Sequence, residues 1–272
     1  MKKKIFGIGK SGSFTSIVTK KSILKKIIGG SYNECQKNID EEIINNKIWL
    51  QLTKVLQNIR GKGIATMIGK IETKEIVVKV QLFEQSNSEF SIQSKLSEIP
   101  GFIKYICIFT CDGNKEYIET FSNVNEQTRI CKVSGDKLGI IIMPYYRKGS
   151  LEDCIRTLSK DELKNILTTI ISNYFNAYRT INFTHGDFFC KNIVLDEANP
   201  IIIDFEKSQF DNPRKCDIFW NDLDNICIDS SRNQYLSVKM YDIARVVTIH
   251  RAYNQEPTET IIDDLIKQIK NI

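Results

Sequence analysis

An acid followed five residues later by an amide stands in Thr184-His185-Gly186-Asp187-Phe188-Phe189-Cys190-Lys191-Asn192-Ile193. After a turn expected at Asn199-Pro200, the apolar run Ile201-Ile202-Ile203 ends in a second acid, Asp204, followed by Phe205 and Glu206. Two carboxylates and an amide are hard oxygen donors, the kind magnesium takes. A carboxylate beside such an ion can also aim a hydroxyl in line at a phosphate, the positioning that phosphoryl transfer needs. Singly, each residue is better read as a turn cap or a strand end; the weight lies in their joint order. A zinc site is not suggested, because the only histidines are His185 and His250 and the eight cysteines form no C-x-x-C pair.

The pattern H-x-D-x-x-x-x-N-I, then apolar-apolar-D-F, resembles the catalytic and metal-binding loops of the protein-kinase-like superfamily. That superfamily includes protein kinases and small-molecule kinases of the aminoglycoside and choline type. The resemblance extends over roughly residues 61 to 250. It implies an α+β, two-lobed protein-kinase-like fold, with an antiparallel sheet plus helix in the N-lobe and a mainly helical C-lobe. It also implies ATP and Mg2+ as cofactors, Asp187 as the catalytic base, Asn192 and Asp204 as metal ligands, and a structural role for His185.

Upstream, Leu138-Gly-Ile-Ile-Ile-Met143-Pro144-Tyr145-Tyr146-Arg-Lys-Gly149 resembles the last N-lobe strand and the hinge. Matching Gly149 to the hinge glycine makes Met143 the gatekeeper, Pro144 a carbonyl facing the adenine and Tyr146 a backbone N–H donor to it. Proline is tolerable where only its carbonyl is used. Ile76-Val-Val-Lys79-Val80 resembles the strand with the phosphate-binding lysine, and Glu89 would be its helix partner, fixing the lysine's rotamer.

Two segments compete for the glycine-rich cover over the phosphates. Gly61-Lys-Gly63 lies sixteen residues before Lys79 but lacks a third glycine. Gly7-Ile-Gly9-Lys-Ser-Gly12 has the G-x-G-x-x-G spacing and would pair with Lys25 or Lys26 and with Glu41 or Glu42. A lone motif of this kind is weak. The frame with Gly61, Gly63, Lys79 and Glu89 is preferred because it leaves no long gap before the hinge.

The elements that must position these residues can be read from periodicity. A helix is expected over Asp40–Leu56, strands over Ile64–Ile71, Glu75–Phe83, Phe102–Thr110 and Leu138–Met143, and a short helix near Ser88–Leu96. Residues Cys111 to Lys137 are polar and read as an insertion or long hairpin. The period changes after Pro144. Ser150 and Ser159 stand as N-caps, each followed by acids in the first turn, and the second helix should run to about Tyr178. The N-lobe is therefore placed at 1–143, with an N-terminal extension over 1–60, and the C-lobe at 144–272.

Composition bounds the rest. The 272 residues are 42% hydrophobic and 26% charged, enough for a buried core, and no apolar run reaches the length of a membrane helix. The scattered cysteines suit reduced thiols in an intracellular protein. A net charge of +5, from 38 Lys and Arg against 33 Asp and Glu, calls for no specific nucleic acid.

The sequence departs from the resemblance in three places: Glu206 stands where most protein kinases have glycine, Phe189 where they have a lysine, and no A-P-E follows Asp204. Lys191 is either a substitute for that lysine or a solvated surface residue. Lys239-Met-Tyr241-Asp242 resembles the buried helix aspartate that supports the catalytic loop. Asn221-Asp222-Leu223-Asp224 is reminiscent of haspin-like and large-DNA-virus kinases, whereas Asp217 could match the downstream Asp-Ile of choline kinases. The expectation is an atypical serine/threonine protein kinase acting on a protein substrate inside a cell, and, if it is of viral type, in a host cytoplasm or virion. A small-molecule kinase and a non-catalytic pseudokinase are the alternatives.

Overall fold

The computed structural model describes residues 51–59, 64–71, 74–111 and 138–272. The chain divides into two compact units. One holds the residues up to Ser91 together with Lys104–Tyr145, and the other holds Ile92–Ile103 and Tyr146–Ile272. Gly61 and Gly63, the rival motif at Gly7–Gly12 with Lys25, Lys26, Glu41 and Glu42, and most of the polar stretch after Cys111 lie outside the described residues.

The first unit is built on an antiparallel sheet: β1 (Gln51–Ile59), β2 (Ile64–Ile71), β3 (Lys74–Leu82), β4 (Cys107–Cys111) and β5 (Leu138–Pro144), in the order β1-β2-β3-β5-β4. Ile76, Val78 and Val80 of β3 are buried, as are Ile141 and Ile142 of β5. The sheet's central strands thus carry the β-branched residues that pack well on a pleated surface. Helix α1 (Phe83–Leu96) starts directly where β3 stops.

The helix expected over Asp40–Leu56 is not found where the structure describes it: Gln51–Ile59 is strand β1, paired with β2. The ladder has register shifts at Leu52/Lys54 and Val55/Gln57. Each irregularity breaks the two-residue alternation, so the apolar spacing imitates a helical period. The strand expected over Phe102–Thr110 is confined to Cys107–Cys111. Phe102 instead forms an isolated parallel bridge to Ile202, whose N–H donates to the Gly101 carbonyl and whose carbonyl accepts the Ile103 N–H.

The second unit is mainly helical, with α2 (Leu151–Cys154), α3 (Lys160–Ile181), α4 (Lys215–Ser230), α5 (Ser237–Ala252) and α6 (Glu259–Asn271). Both expected N-caps form full capping boxes, Ser150 with Asp153 and Ser159 with Glu162. Helix α3 ends at Asn182, whose left-handed backbone stops it.

Two short antiparallel ladders complete this unit. β6 (Phe183–Thr184) pairs with β9 (Gln209–Phe210), and β7 (Ile193–Asp196) pairs with β8 (Asn199–Ile202). The turn between β7 and β8 falls on Glu197 and Ala198, two residues earlier than Asn199-Pro200, which open β8. Tyr174 stacks on Phe219 at 4.9 Å between centroids and lies 4.5 Å from Phe188, so α3, α4 and the loop after β6 share one aromatic core. Among the described residues no helix is long and apolar enough to cross a membrane.

Candidate active site

The loop bearing Asp187 follows β6 and ends in a single 310 turn, Cys190–Asn192, which leads into β7. Its backbone is held from beneath by one side chain. Asp222, fully buried on α4, accepts the N–H of His185 at 3.2 Å and of Gly186 at 3.0 Å through Oδ2, and that of Phe188 at 3.4 Å through Oδ1. The Tyr174 hydroxyl donates to the same Oδ2 at 2.5 Å. Burial pushes the Asp222 carboxyl above its usual value, against the opposing pull of the Tyr174, Gly186 and Phe188 donors. Tyr174, buried beside that carboxylate, has its hydroxyl pushed well up.

Two helical turns further along α4, Asp229 accepts the N–H of Cys190 at 3.1 Å and pairs with Arg232 at 3.0 Å. A spacing of seven residues puts both acids on one face of the helix, so the loop is gripped on either side of Asp187.

Asp242, assigned the supporting role from its sequence context, does not fill it. Its side chain is 55% exposed and faces Arg245 at 3.8 Å. Nor does Asp217 enter the loop's support; it pairs with Arg214 at 2.7 Å and Arg251 at 2.9 Å.

His185 is buried and structural. Its Nδ1 accepts the Asp187 N–H at 3.3 Å, and its Nε2 lies 3.0 Å from the Ile203 carbonyl. This geometry requires the proton on Nε2, which donates to Ile203. The ring thereby ties the Asp187 loop to the residue just before Asp204. The Ile203 N–H also bonds the Asn192 carbonyl at 3.0 Å, which ties the 310 turn to the same residue. Asp204 itself has φ of 67°, a left-handed conformation that aspartate tolerates better than most residues.

Asn192 is buried and donates from Nδ2 to the Asp187 carbonyl at 2.7 Å and to Asp187 Oδ2 at 3.0 Å. With the amide nitrogen so directed, Oδ1 is the atom it can offer a cation. Asp187, Asn192 and Asp204 are thus carried by one hydrogen-bonded assembly of neighbouring loops. Their donor set of two carboxylates and one amide fits magnesium. No cluster of three His, Cys, Asp or Glu able to cage a metal occurs among the described residues.

Two lysines flank Asp187. Lys207 Nζ lies 2.7 Å from Oδ1 and Lys191 Nζ 3.1 Å from Oδ2. Partial burial raises the Asp187 pKa, but the hydrogen bonds from Lys207 and then Lys191 outweigh it and hold the carboxyl below its usual value. Lys207 is pushed up in turn, chiefly by its bond to Asp187, with Glu206 and Asp204 adding to the effect. Gly186 makes the loop's close approach possible: its φ is 76°, and a Cβ there would meet the Lys207 carbonyl at 2.7 Å.

Within the first unit, Lys79 and Glu89 do meet. Nζ of Lys79 lies 2.8 Å from Glu89 Oε2, with the two side chains 11% and 1% exposed. Gln81 Nε2 donates to the same oxygen at 2.8 Å, and the Tyr105 hydroxyl donates to Oε1 at 2.5 Å. A buried charge pair needs such additional donors to offset its desolvation. Met143 is buried opposite Val77, and Pro144 closes β5 opposite Ile76. Tyr146 is half-buried in the second unit, where burial and then Asp196 raise its pKa.

Sequence reasoning missed Lys207, Asp229, Gln81 and Tyr105, and gave Asp222's part to Asp242. One signal was available: Asp222 and Asp229 share a helical face with buried Leu223 and Ile226, where an acid needs partners.

Residues 72–243 match the RIO domain. The chain belongs to the RIO domain family. That family is one of atypical protein kinases within the protein-kinase-like superfamily, ATP-dependent phosphotransferases that generally use Mg2+. The RIO match takes in Lys79, Glu89, Asp187, Asn192, Asp204 and Asp222, and begins after Gly61 and Gly63. None of the curated proteins compared with the chain matches it.

Proposed function

We propose that this RIO-family chain is an ATP- and Mg2+-dependent serine/threonine protein kinase whose catalytic base is Asp187. The observation that carries the reading is the hold on Asp187: Asn192 fixes one carboxylate oxygen while Asp222 and Asp229 fix the backbone around it. Preorganised positioning of this kind is what phosphoryl transfer requires of a protein.

In this reading Asp187 orients the acceptor hydroxyl and takes its proton. Asn192 Oδ1 and the Asp204 carboxylate hold Mg2+, which when bound neutralises phosphate charge. Lys79, kept in place by Glu89, contacts the nucleotide phosphates, and Gly61 and Gly63 belong to the loop that covers them. Met143, Pro144 and Tyr146 serve the adenine. The arrangement is two-lobed, with residues 1–143 as the nucleotide-binding lobe and 144–272 as the catalytic lobe. Asn221-Asp222-Leu223-Asp224 and the missing A-P-E motif support a haspin-like or viral variety.

One observation favours a smaller acceptor. The segment Phe205–Arg214 between Asp204 and α4 is ten residues long and holds only the two-residue strand β9, a short platform for an extended peptide. The deciding experiment incubates the protein with labelled ATP and Mg2+, using basic protein substrates in one arm and choline or ethanolamine in the other. Label in protein, reduced at least about 10²-fold by Asp187→Asn, is the expected result. Label only in the small alcohols selects the second reading. A variant as fast as wild type removes Asp187 from the role of base.

A further inference from the structure

Each oxygen of the Asp187 carboxylate faces its own ammonium group, Lys207 on Oδ1 and Lys191 on Oδ2. Two cations exceed what one carboxylate needs for neutralisation. Stability does not account for them either, because the lysine side chains are 63% and 53% exposed, and exposed pairs contribute only about 0–1 kcal/mol.

The two are not equivalent. Lys191 belongs to the same 310 turn as Asn192, lies 5.3 Å from the Phe189 ring centroid, and meets the oxygen that Asn192 already holds. Lys207 comes from the other loop, three residues beyond Asp204, and meets Oδ1. Its place is built by its surroundings. Its carbonyl packs against Gly186 where no Cβ would fit, and the next residue, Ser208, donates from Oγ to the His185 carbonyl at 3.0 Å. With Oδ2 anchored by Asn192, Oδ1 is the oxygen available to a hydroxyl, and a hydroxyl placed there comes up against the Lys207 ammonium.

We propose that Lys207 is a further catalytic residue, whose ammonium moves from Asp187 Oδ1 onto the transferring phosphoryl group as the acceptor hydroxyl takes its place. The inference rests on the phosphotransferase reading above. The acceptor O–H breaks and its proton passes to Asp187. The acceptor oxygen bonds to the γ-phosphorus as the bond to the β-phosphate oxygen breaks and ADP departs. Lys207 stays protonated throughout and donates hydrogen bonds to the phosphoryl oxygens, where charge must be stabilised. In this way it supplies the cation that Phe189 cannot.

The test compares wild type, Asp187→Asn, Lys207→Met and Lys207→Arg. Three quantities are measured: the single-turnover rate with Mg·ATP, calorimetric affinity for Mg·ADP, and the gain in that affinity on adding aluminium fluoride, a mimic of the transferring phosphoryl. Lys207→Met is expected to slow turnover about 10²–10³-fold, the scale of losing one donor to developing charge. It should also lose most of the aluminium fluoride gain while binding Mg·ADP like wild type, with Lys207→Arg recovering part of both. A wild-type rate and gain in Lys207→Met overturn the inference, as does a loss confined to Mg·ADP affinity. Lys207→Gln repeats the measurement should the Met variant melt early. If wild type turns over ATP and Asp187→Asn does not, an inert Lys207 substitution refutes this inference alone. If wild type neither binds Mg·ADP nor turns over ATP, the phosphotransferase reading falls and this one with it.

Discussion

The carboxylate of Asp222 accepts the Gly186 N–H at 3.0 Å across 36 residues of sequence, and so makes helix α4 the foundation of the loop that carries Asp187. Asp222→Ala strips the acceptor from the N–H groups of buried His185 and Phe188, from that of Gly186, and from the Tyr174 hydroxyl. An unsatisfied buried donor costs about 1–3 kcal/mol, so the variant is expected to lose at least that much stability in urea denaturation. Asp222→Asn, which keeps the shape and one acceptor oxygen, is expected to fold yet turn over ATP at least about tenfold more slowly, a difference of about 1.4 kcal/mol in the barrier. Equal rates would mean that Asp187 does not need its backbone held.

Asp204→Ala should abolish the magnesium dependence of nucleotide binding while leaving the fold in place. The side chain sits at a left-handed position between loops that are tied together through main-chain bonds at Ile203. Calorimetric titration with ADP, with and without Mg2+, checks this. A magnesium effect of wild-type size in the variant would reject the metal role of Asp204.

Tyr105→Phe removes a hydroxyl that donates to Glu89 Oε1 at 2.5 Å, at one end of the Lys79–Glu89 group. A hydrogen bond to a charged partner contributes about 1.5–3 kcal/mol. The variant should therefore be less stable by about that amount and should bind ATP more weakly than wild type. Denaturation and nucleotide titration on the same preparation separate the two effects.

Asp217 gives a pH dependence whose sign is fixed by its partners. The hydrogen bonds from Arg251 and then Arg214 hold its carboxyl below the usual value in the folded chain. A depressed folded pKa contributes stability above the unfolded value, and that contribution is lost as pH falls through the folded one. The pairs lie at the surface, with the Asp217 side chain 30% exposed and both arginines more so, and the amount is at most about 1 kcal/mol. Asp217→Asn should lower the melting temperature slightly at neutral pH, and the two proteins should converge in acid. A gap that persists or widens at low pH would contradict the assignment.

How much of this was legible in the sequence differed by element. Ser150 and Ser159 announced their helices because a capping box is local: cap and partner lie three residues apart, and both boxes form. The Lys79–Glu89 pair was legible because strand and helix adjoin in sequence. β1 was misread because its bulges erase the alternation that marks a strand. Asp222 lost its part to Asp242 because the choice depends on which face of a helix is buried, and tertiary packing alone decides that. Lys207 went unseen because nothing local joins it to Asp187, twenty residues away.

Leu82 ends β3 and Phe83 begins α1, with no residue between them. Many switchable enzymes shift a helix to withdraw a glutamate from its lysine, and such a shift needs slack in the chain. Here the eight residues from Leu82 to Glu89 have none at their start, and Gln81 and Tyr105 clasp the glutamate from two further directions. A shift of α1 that withdrew Glu89 would have to break its bonds to Gln81 and Tyr105 as well as the one to Lys79.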